Sequence, residues 1–259
     1  MPAALNPRIG LLVVGDEILS GKRQDRHLPR AIELLRARGL ELSWARFLGD
    51  DEAAISTEIA AAHRDQDIVL SCGGIGATPD DRTRQAAARA FSQPLRRHPE
   101  AEALIVAQYG AAAFPHRVLM ADFPQGARLI PNPVNRVAGF AMGSCYFVPG
   151  FPEMAWPMLE WVLDGELAAL HCATPAIEFR LRAIGTTGEG DLLPLMEATL
   201  ARYPRIRLSS LPFRGDAQRP RHIEFGFKGV RSEAAGAYVY FQTGLAVFAD
   251  IKIEPIAAP

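Results

Sequence analysis

The run Ser71-Cys-Gly-Gly-Ile-Gly-Ala-Thr-Pro-Asp-Asp-Arg-Thr83 constrains the fold of this 259-residue chain more than any other stretch. The residues leading into it, Asp67-Ile-Val-Leu-Ser71, are apolar and β-branched, the pattern of a strand buried on both faces of a parallel sheet. Gly73, Gly74 and Gly76 allow a tight turn with bare backbone N–H groups. Pro79 suits the first turn of a helix, and the alanines and arginines from Asp80 to Phe91 predict that helix. Loop amides and a helix N-terminus then point at one spot, a recurrent way to hold phosphate or carboxylate.

Asp80 and Asp81 could cap that helix, because its dipole favours carboxylates at this end. Beside a phosphate cradle they would repel a dianion unless a divalent cation, or side chains such as Arg82 and Arg84, stood between. Magnesium-like ions are held by one or two carboxylates together with substrate phosphates.

The chain length suits one large domain or a domain with a small companion, and a formal net charge of -1 gives no pull toward nucleic acid or membrane. No apolar run has the length of a membrane span, and the N-terminus lacks a signal pattern, so the expectation is a cytoplasmic protein with no membrane and no nucleic-acid partner. Cys72, Cys145 and Cys172 are odd in number and far apart, which fits reduced thiols. The histidines stand singly, without zinc-ligand spacing.

Strand and helix patterns alternate over the first 165 or so residues. Strands are predicted over 9–14, 40–48, 67–71, 128–130, 139–142 and 146–148, and helices over 28–38, 52–64, 80–91, 99–109 and 152–163. Such βαβα order implies a mostly parallel sheet between helices, with ligands beyond the carboxyl ends of the strands. Asp16, Glu17, Asp25, Asp50, Asp80 and Asp81 fall at those ends and would share one rim, although any one of them, and Asp51 and Glu52 above all, could serve as a helix cap. Lys22 and Arg23 in the first polar loop could neutralise a second phosphate. Phe151 and Pro152 stand near the rim, where a flat base or pterin could stack, whereas Trp156, Met158, Leu159 and Trp161 read as helix packing on the core or on a second subunit. Arg96, Arg97 and His98 read as a solvated connection.

Four segments together carry a family resemblance: Gly15-Asp-Glu-Ile-Leu-Ser-Gly-Lys-Arg-Gln-Asp25, Gly73 to Thr83, Asn132-Pro-Val134 with the following Ala138-Gly-Phe140, and Val148-Pro-Gly-Phe-Pro-Glu-Met154. They resemble the molybdopterin-binding-like domain of the CinA family, which is similar to the N-terminal part of eukaryotic FAD synthases and, more distantly, to the MoaB and MogA molybdenum-cofactor proteins. The resemblance implies an α/β three-layer sandwich with a mostly parallel sheet over residues 1–170. Over 171–259 it implies a small α/β, KH-like second domain. Asp50 and Asp81 match the functional carboxylates of the molybdenum-cofactor proteins, and with Asp80 they form the implied cation set of Mg, Mn or Co. Gly15, Asp16, Glu17, Gly21, Lys22, Gln24, Asp25, Gly73, Gly74, Gly76, Thr78, Thr83, Asn132, Pro133, Pro149 and Gly150 are the implied ligand contacts. Ala77 departs from the pattern's proline, His27 from its asparagine, and Asn135-Arg-Val137 from its commoner Gly-Thr-Ala.

In the second part, strands are predicted over 177–184, 206–211 and 222–227 and helices over 191–202 and 232–243, with Gly185-Thr-Thr-Gly188 following a strand. Set beside the resemblance, the expectation is a protein without the deamidase domain that CinA proteins often add or the adenylyltransferase domain of FAD synthases. The resemblance implies a homo-oligomer that binds a nucleotide or pterin phosphate. Three functions stand open: a metal-dependent pyrophosphohydrolase acting on an ADP-ribose-like or FAD-like dinucleotide, a molybdopterin-binding protein or adenylyltransferase, and a non-catalytic nucleotide module.

Overall fold

A computed structural model describes residues 7–174, 176–185 and 187–257 and divides the chain into two compact units, Met1–Ala173 and Thr174–Pro259. Pro175 in the expected second domain and Thr186 in the Gly185–Gly188 segment lie outside the described residues. Cys172 N–H still donates to the Arg38 carbonyl (3.0 Å), which ties the chain to the first unit beyond residue 170.

The first unit runs β1 (Ile9–Val14), α1 (Asp16–Leu19), α2 (His27–Arg36), β2 (Trp44–Leu48), α3 (Glu52–Arg64), β3 (Ile68–Cys72), α4 (Thr83–Ala90), β4 (Leu95–Arg97), α5 (Pro99–Tyr109), β5 (Asp122–Pro124), β6 (Arg128–Ile130), β7 (Gly139–Met142), β8 (Cys145–Val148) and α6 (Pro152–Asp164). Six strands form one sheet in the order β2-β1-β3-β8-β7-β6. Its first four are parallel, and only β7 runs against its neighbours. The carboxyl ends of β1, β2, β3 and β8 therefore meet at one rim.

Strands β1, β3 and β8 are buried at every position, as their unbroken apolar runs require. Alternate residues feed two cores. On one face Leu11, Val13 and Leu70 pack with Leu34 and Leu35 of α2 and Met158, Leu159 and Val162 of α6. On the other, Leu12, Val14 and Val69 pack with Ile55 and Ile59 of α3, Ala86 of α4 and Ile105 of α5. This is the expected α/β sandwich of three layers. Phe123, Phe140 and Phe147 stack through the second core with centroids 4.8 and 4.5 Å apart.

Several elements differ from the sequence reading for identifiable reasons. Helix α4 starts at Thr83 rather than near Asp80, because Thr78, Pro79, Asp80 and Asp81 close a turn of their own in which Asp81 N–H donates to the Thr78 carbonyl (3.0 Å). Arg96 and Arg97 lie in β4, paired with β5, and not in a solvated connection. There Arg97 bridges Asp122 (2.5 Å) and Glu102 (2.8 Å), and His98 caps α5 through the Ala101 amide. Met158, Leu159 and Trp156 pack on the core as expected, Trp156 beneath the guanidinium groups of Arg26 and Arg30, whereas Trp161 is exposed.

The second unit runs β9 (Ile177–Ile184), α7 (Glu189–Arg202), β10 (Arg207–Phe213), β11 (His222–Gly229), α8 (Arg231–Leu245) and β12 (Lys252–Ile256). Its four-stranded sheet has the order β10-β11-β9-β12 and is antiparallel throughout, a split-βαβ arrangement that gives topology to the small α/β domain expected from sequence. Leu181, Phe225 and Phe227 pack on Leu192 of α7 and Phe241 of α8. Gly185 follows β9, and Gly188 is the N-cap of α7. Strand β12 escaped the sequence reading because Pro255 interrupts its pattern; as an edge strand, it tolerates the missing donor.

Among the described residues no helix is long and apolar enough to cross a membrane, and all three cysteines are free. Because Phe140 is the middle ring of the stack, Phe140→Ala is expected to lower the unfolding free energy by about 3–5 kcal/mol. Urea denaturation monitored by circular dichroism measures this, and a loss below about 1 kcal/mol would mean the stack is not a principal support of this core.

Candidate functional site

Gly73 opens the loop after β3 at φ +106, and a Cβ there would stand 2.2 Å from the Val14 carbonyl oxygen. Its N–H donates to the Val148 carbonyl (3.0 Å), so the loop starts wedged between the ends of β1 and β8. Buried Thr83 holds the returning chain: its hydroxyl donates to the Gly73 carbonyl (3.0 Å) and its amide to the Gly74 carbonyl (2.9 Å). Arg84, also buried, donates to the carbonyls of Gly76 (2.6 Å), Asp122 (3.2 Å) and Leu119. With its carbonyls pulled inward, the loop leaves the amides of Gly74, Ile75, Gly76 and Ala77 without a hydrogen-bond partner among the described residues.

Those amides border a cleft of about 390 Å³, within the usual range for small-molecule sites. Asp81 is fixed by the Thr78 amide (2.9 Å) and hydroxyl (2.5 Å), both donating to Oδ2. A Cβ at residue 76 would fall 2.4 Å from that same oxygen, so glycine is needed for the carboxylate to reach its position. Asp16 and Asp50 clamp the loops after β1 and β2 reciprocally: Asp16 N–H donates to Asp50 Oδ2 (3.0 Å), and Asp50 N–H donates to Asp16 Oδ1 (3.2 Å).

The cleft is strongly anionic. Glu17, Asp50, Asp80 and Asp81 line it, with Arg23 as the single cationic side chain among the lining residues. Burial, reinforced by Asp16, Glu17 and Asp80, pushes the Asp50 carboxyl above its ordinary value against the opposing effect of the Asp16 N–H. An all-oxygen, carboxylate-rich donor set suits a hard divalent cation. Among the described residues no three His, Cys, Asp or Glu side chains are grouped closely enough to hold a metal ion, so at most two carboxylates would meet a cation and ligand oxygens would complete its shell.

The sequence-predicted residues fall into two groups. Gly15, Glu17, Asp50, Gly73, Gly74, Gly76, Thr78, Asp80, Asp81, Asn132, Pro149 and Gly150 line the cleft. Gly21, Lys22, Gln24 and Pro133 are exposed and do not line it; from the first loop it is Arg23 that does. Asp25 caps α2, accepting from the amides of His27 (2.8 Å) and Leu28 (3.0 Å), and Asp16 and Thr83 stand behind the lining as supports. Asn132 is buried and orders its own turn through the Val137 carbonyl (3.1 Å) and the Val134 amide (3.0 Å). His27, whose pKa burial pushes down, has Nε2 3.1 Å from the Gly150 carbonyl; in the Nε2–H form it donates there and steadies the β8 turn. Phe151 reaches the cleft while Pro152 starts α6.

Met120 and Met154 were not foreseen as site residues. Met154 sits one helical turn after the glycine turn in a segment already singled out, and its sulfur is 3.3 Å from Asn135 Nδ2. Met120 arrives on a 3-10 turn between α5 and β5 that has no periodic signal.

A glycine loop at the carboxyl edge of a mostly parallel sheet, with acids from neighbouring strand ends lining the same cleft, defines an α/β domain with its candidate site at that rim. Comparison with known proteins narrows the class. The chain belongs to the family described as "Probable molybdopterin binding domain", whose model matches residues 10–169. It is similar to the CinA-like proteins of Citrifermentans bemidjiense (30% identity over 217 residues, 78% of this chain and 52% of that protein) and Desulfosudis oleivorans (33% over 263, 93% and 63%). Among solved structures it resembles the protein CinA with unknown function from Thermoplasma acidophilum, with 28% identity, a TM-score of 0.57 and coverage of 64% of this chain and 99% of that one. The chain spans about half the length of the curated relatives it matches.

The raised Asp50 pKa has a signed consequence. A carboxyl harder to ionise in the folded state favours folding below its unfolded pKa, and this contribution is lost as pH rises through the folded value. Asp50→Asn, which keeps an oxygen acceptor for Asp16 N–H, should raise Tm at about pH 7.5 and lose that advantage near about pH 3. Differential scanning calorimetry at the two pH values measures it, and a variant less stable than the parent at the higher pH contradicts the electrostatic reading.

Proposed function

We propose that the first unit is a metal-dependent pyrophosphohydrolase acting on an ADP-ribose-like or FAD-like dinucleotide. The observation that carries this reading is the set of four consecutive unpartnered amides, Gly74 to Ala77, in one cleft lined also by Asp50, Asp80 and Asp81. Bare amides suit the oxygens of a diphosphate. Ala77 contributes an N–H that the proline of the resembled pattern lacks. Arg23 would balance the second phosphate, and Met120, Phe151 and Met154 offer apolar surface to the attached base or ring.

Asp50, Asp80 and Asp81 are the candidate carboxylates for Mg, Mn or Co, and since no three of the described side chains converge on one point, phosphate and water oxygens would complete the shell; the ion would supply charge neutralisation and a more acidic water. The chain's own contribution is to fix the anhydride with preorganised donors aimed at phosphate charge. Water adds at phosphorus and the anhydride P–O bond breaks. ADP-ribose would thus give AMP and ribose 5-phosphate, and FAD would give AMP and FMN. No side-chain nucleophile is required.

A second reading is favoured by the family description: the same cradle would take the phosphate of a molybdopterin. A third is a nucleotide-binding module without turnover. Incubation with ADP-ribose or FAD and each cation, followed by chromatography, separates the three. AMP release that falls at least about 100-fold in Asp81→Asn, with a weaker KM effect in Arg23→Ala, supports the hydrolase. Absence of turnover with every cation contradicts it; pterin retention would then favour the second reading and nucleotide binding alone the third.

A further inference from the structure

The second unit has a cleft of its own, about 470 Å³, at the root of the β10–β11 hairpin, and Glu189, Phe213, Arg214, Arg221 and His222 line it. Phe213 and His222 form the last register pair of the two strands, so Arg214 and Arg221 are the next residues on facing sides. Like charges at cross-strand positions destabilise a sheet. Of the other arginines in this unit, Arg180 and Arg182 meet Glu224, Arg205 meets Glu233 and Arg219 meets Asp216, while Arg202 lies over the rings of Tyr203 and Tyr240. Arg214 and Arg221 form no ion pair with any described residue.

Arg214 and Arg221 are exposed, and the loop between them is ordered by its own internal bonding. Asp216 accepts from the amides of Gln218 (2.9 Å) and Arg219 (2.7 Å) and from the Arg219 side chain (2.8 Å), which closes the tip. Arg219 lies over the Phe213 ring at 4.4 Å and His222 packs against that ring at 4.9 Å, while the His222 Nδ1–H donates to the Pro220 carbonyl (2.9 Å). Both neighbours of Phe213 are therefore already in contact with it, which leaves the ring poorly placed to stack on a base. What remains at the cleft is a pair of uncommitted cations, with the carboxylate of Glu189 at the first residue of α7.

We infer that this cleft binds a phosphate monoester of a hydroxylated small molecule, such as a sugar phosphate. Arg214 and Arg221 take the phosphate, whose oxygens match guanidinium geometry. Glu189 accepts hydrogen bonds from the hydroxyls, the role that an acidic residue plays toward ribose in nucleotide sites. The phosphate backbone of a nucleic acid offers the same phosphate chemistry but is longer, and it is disfavoured because Phe213 lies against Arg219 and His222.

Titration of the 15N-labelled full chain with ribose 5-phosphate, followed through the arginine Nε–H and backbone amide signals, tests this. Saturable shifts at Arg214, Arg221 and Glu189 are expected, and they should persist in Asp81→Asn, which disables the first unit's proposed site and keeps the two readings separable. Arg214→Gln with Arg221→Gln should weaken the affinity at least about 10-fold, with backbone amide dispersion retained. Glu189→Gln should weaken ribose 5-phosphate by about threefold and leave inorganic phosphate unchanged. Absence of saturable shifts at these residues, or equal affinity in the double variant, overturns the site. A Glu189→Gln variant that affects both ligands equally overturns the hydroxyl contact. A 12-nucleotide RNA that binds more tightly than the monoester overturns the small-molecule assignment.

Discussion

Gly73 stands where three strand ends converge, and the site depends on how closely the backbone passes there. The Val14 carbonyl lies against its Cα, Val148 accepts its amide hydrogen, and the Thr83 hydroxyl donates to its carbonyl. Each partner comes from a different element, so the parallel strands and α4 jointly fix where the loop begins. From that fixed origin, Arg84 draws the Gly76 carbonyl toward the Asp122 segment, and the loop can no longer fold its amides onto its own carbonyls. Bare amides are thus a product of the packing behind the loop as much as of the glycines within it.

The same architecture explains the charge. Parallel β1, β2 and β3 end at one rim, so polar residues far apart in sequence become neighbours. The reciprocal Asp16 and Asp50 hydrogen bonds hold two loops together, and Asp50 resists ionisation because burial, with the nearby Asp16, Glu17 and Asp80 charges, outweighs the Asp16 N–H bond. A cleft with four acids and one arginine is costly in the absence of cations and gives a phosphate ligand little reason to enter by itself. The proposed cation resolves both difficulties at once, because it neutralises the acids and attracts the anion.

Much of this was legible in the sequence, for reasons that differ among residues. Unbroken apolar runs such as Ile9–Val14 belong to strands buried on both faces, and the glycine loop marks the rim unmistakably. Supports were harder to separate from contacts, because Asp25 and Asp81 are the same residue type a few residues from a glycine; only the structure distinguishes a cap on α2 from a carboxylate at the cleft. Lys22 and Arg23 differ by one position, and the turn at Gly21 decides which side chain faces inward. Short β4 carries Arg96 and Arg97, whose charges hide a strand that tertiary ion pairs stabilise. Met120 is the clearest case of a residue delivered by tertiary structure, since nothing in its own segment signals a ligand site.

The central claim is that the amides of the glycine loop and the carboxylates of Asp50, Asp80 and Asp81 form one site for a diphosphate and a cation together. Manganese binding, followed by electron paramagnetic resonance in the presence and absence of a non-hydrolysable ADP-ribose analogue, tests that coupling most directly. The account predicts weak binding of the ion alone, an affinity at least about 10-fold higher with the analogue, and a reciprocal gain for the analogue when the ion is present. Manganese affinity that the analogue leaves unchanged would contradict it.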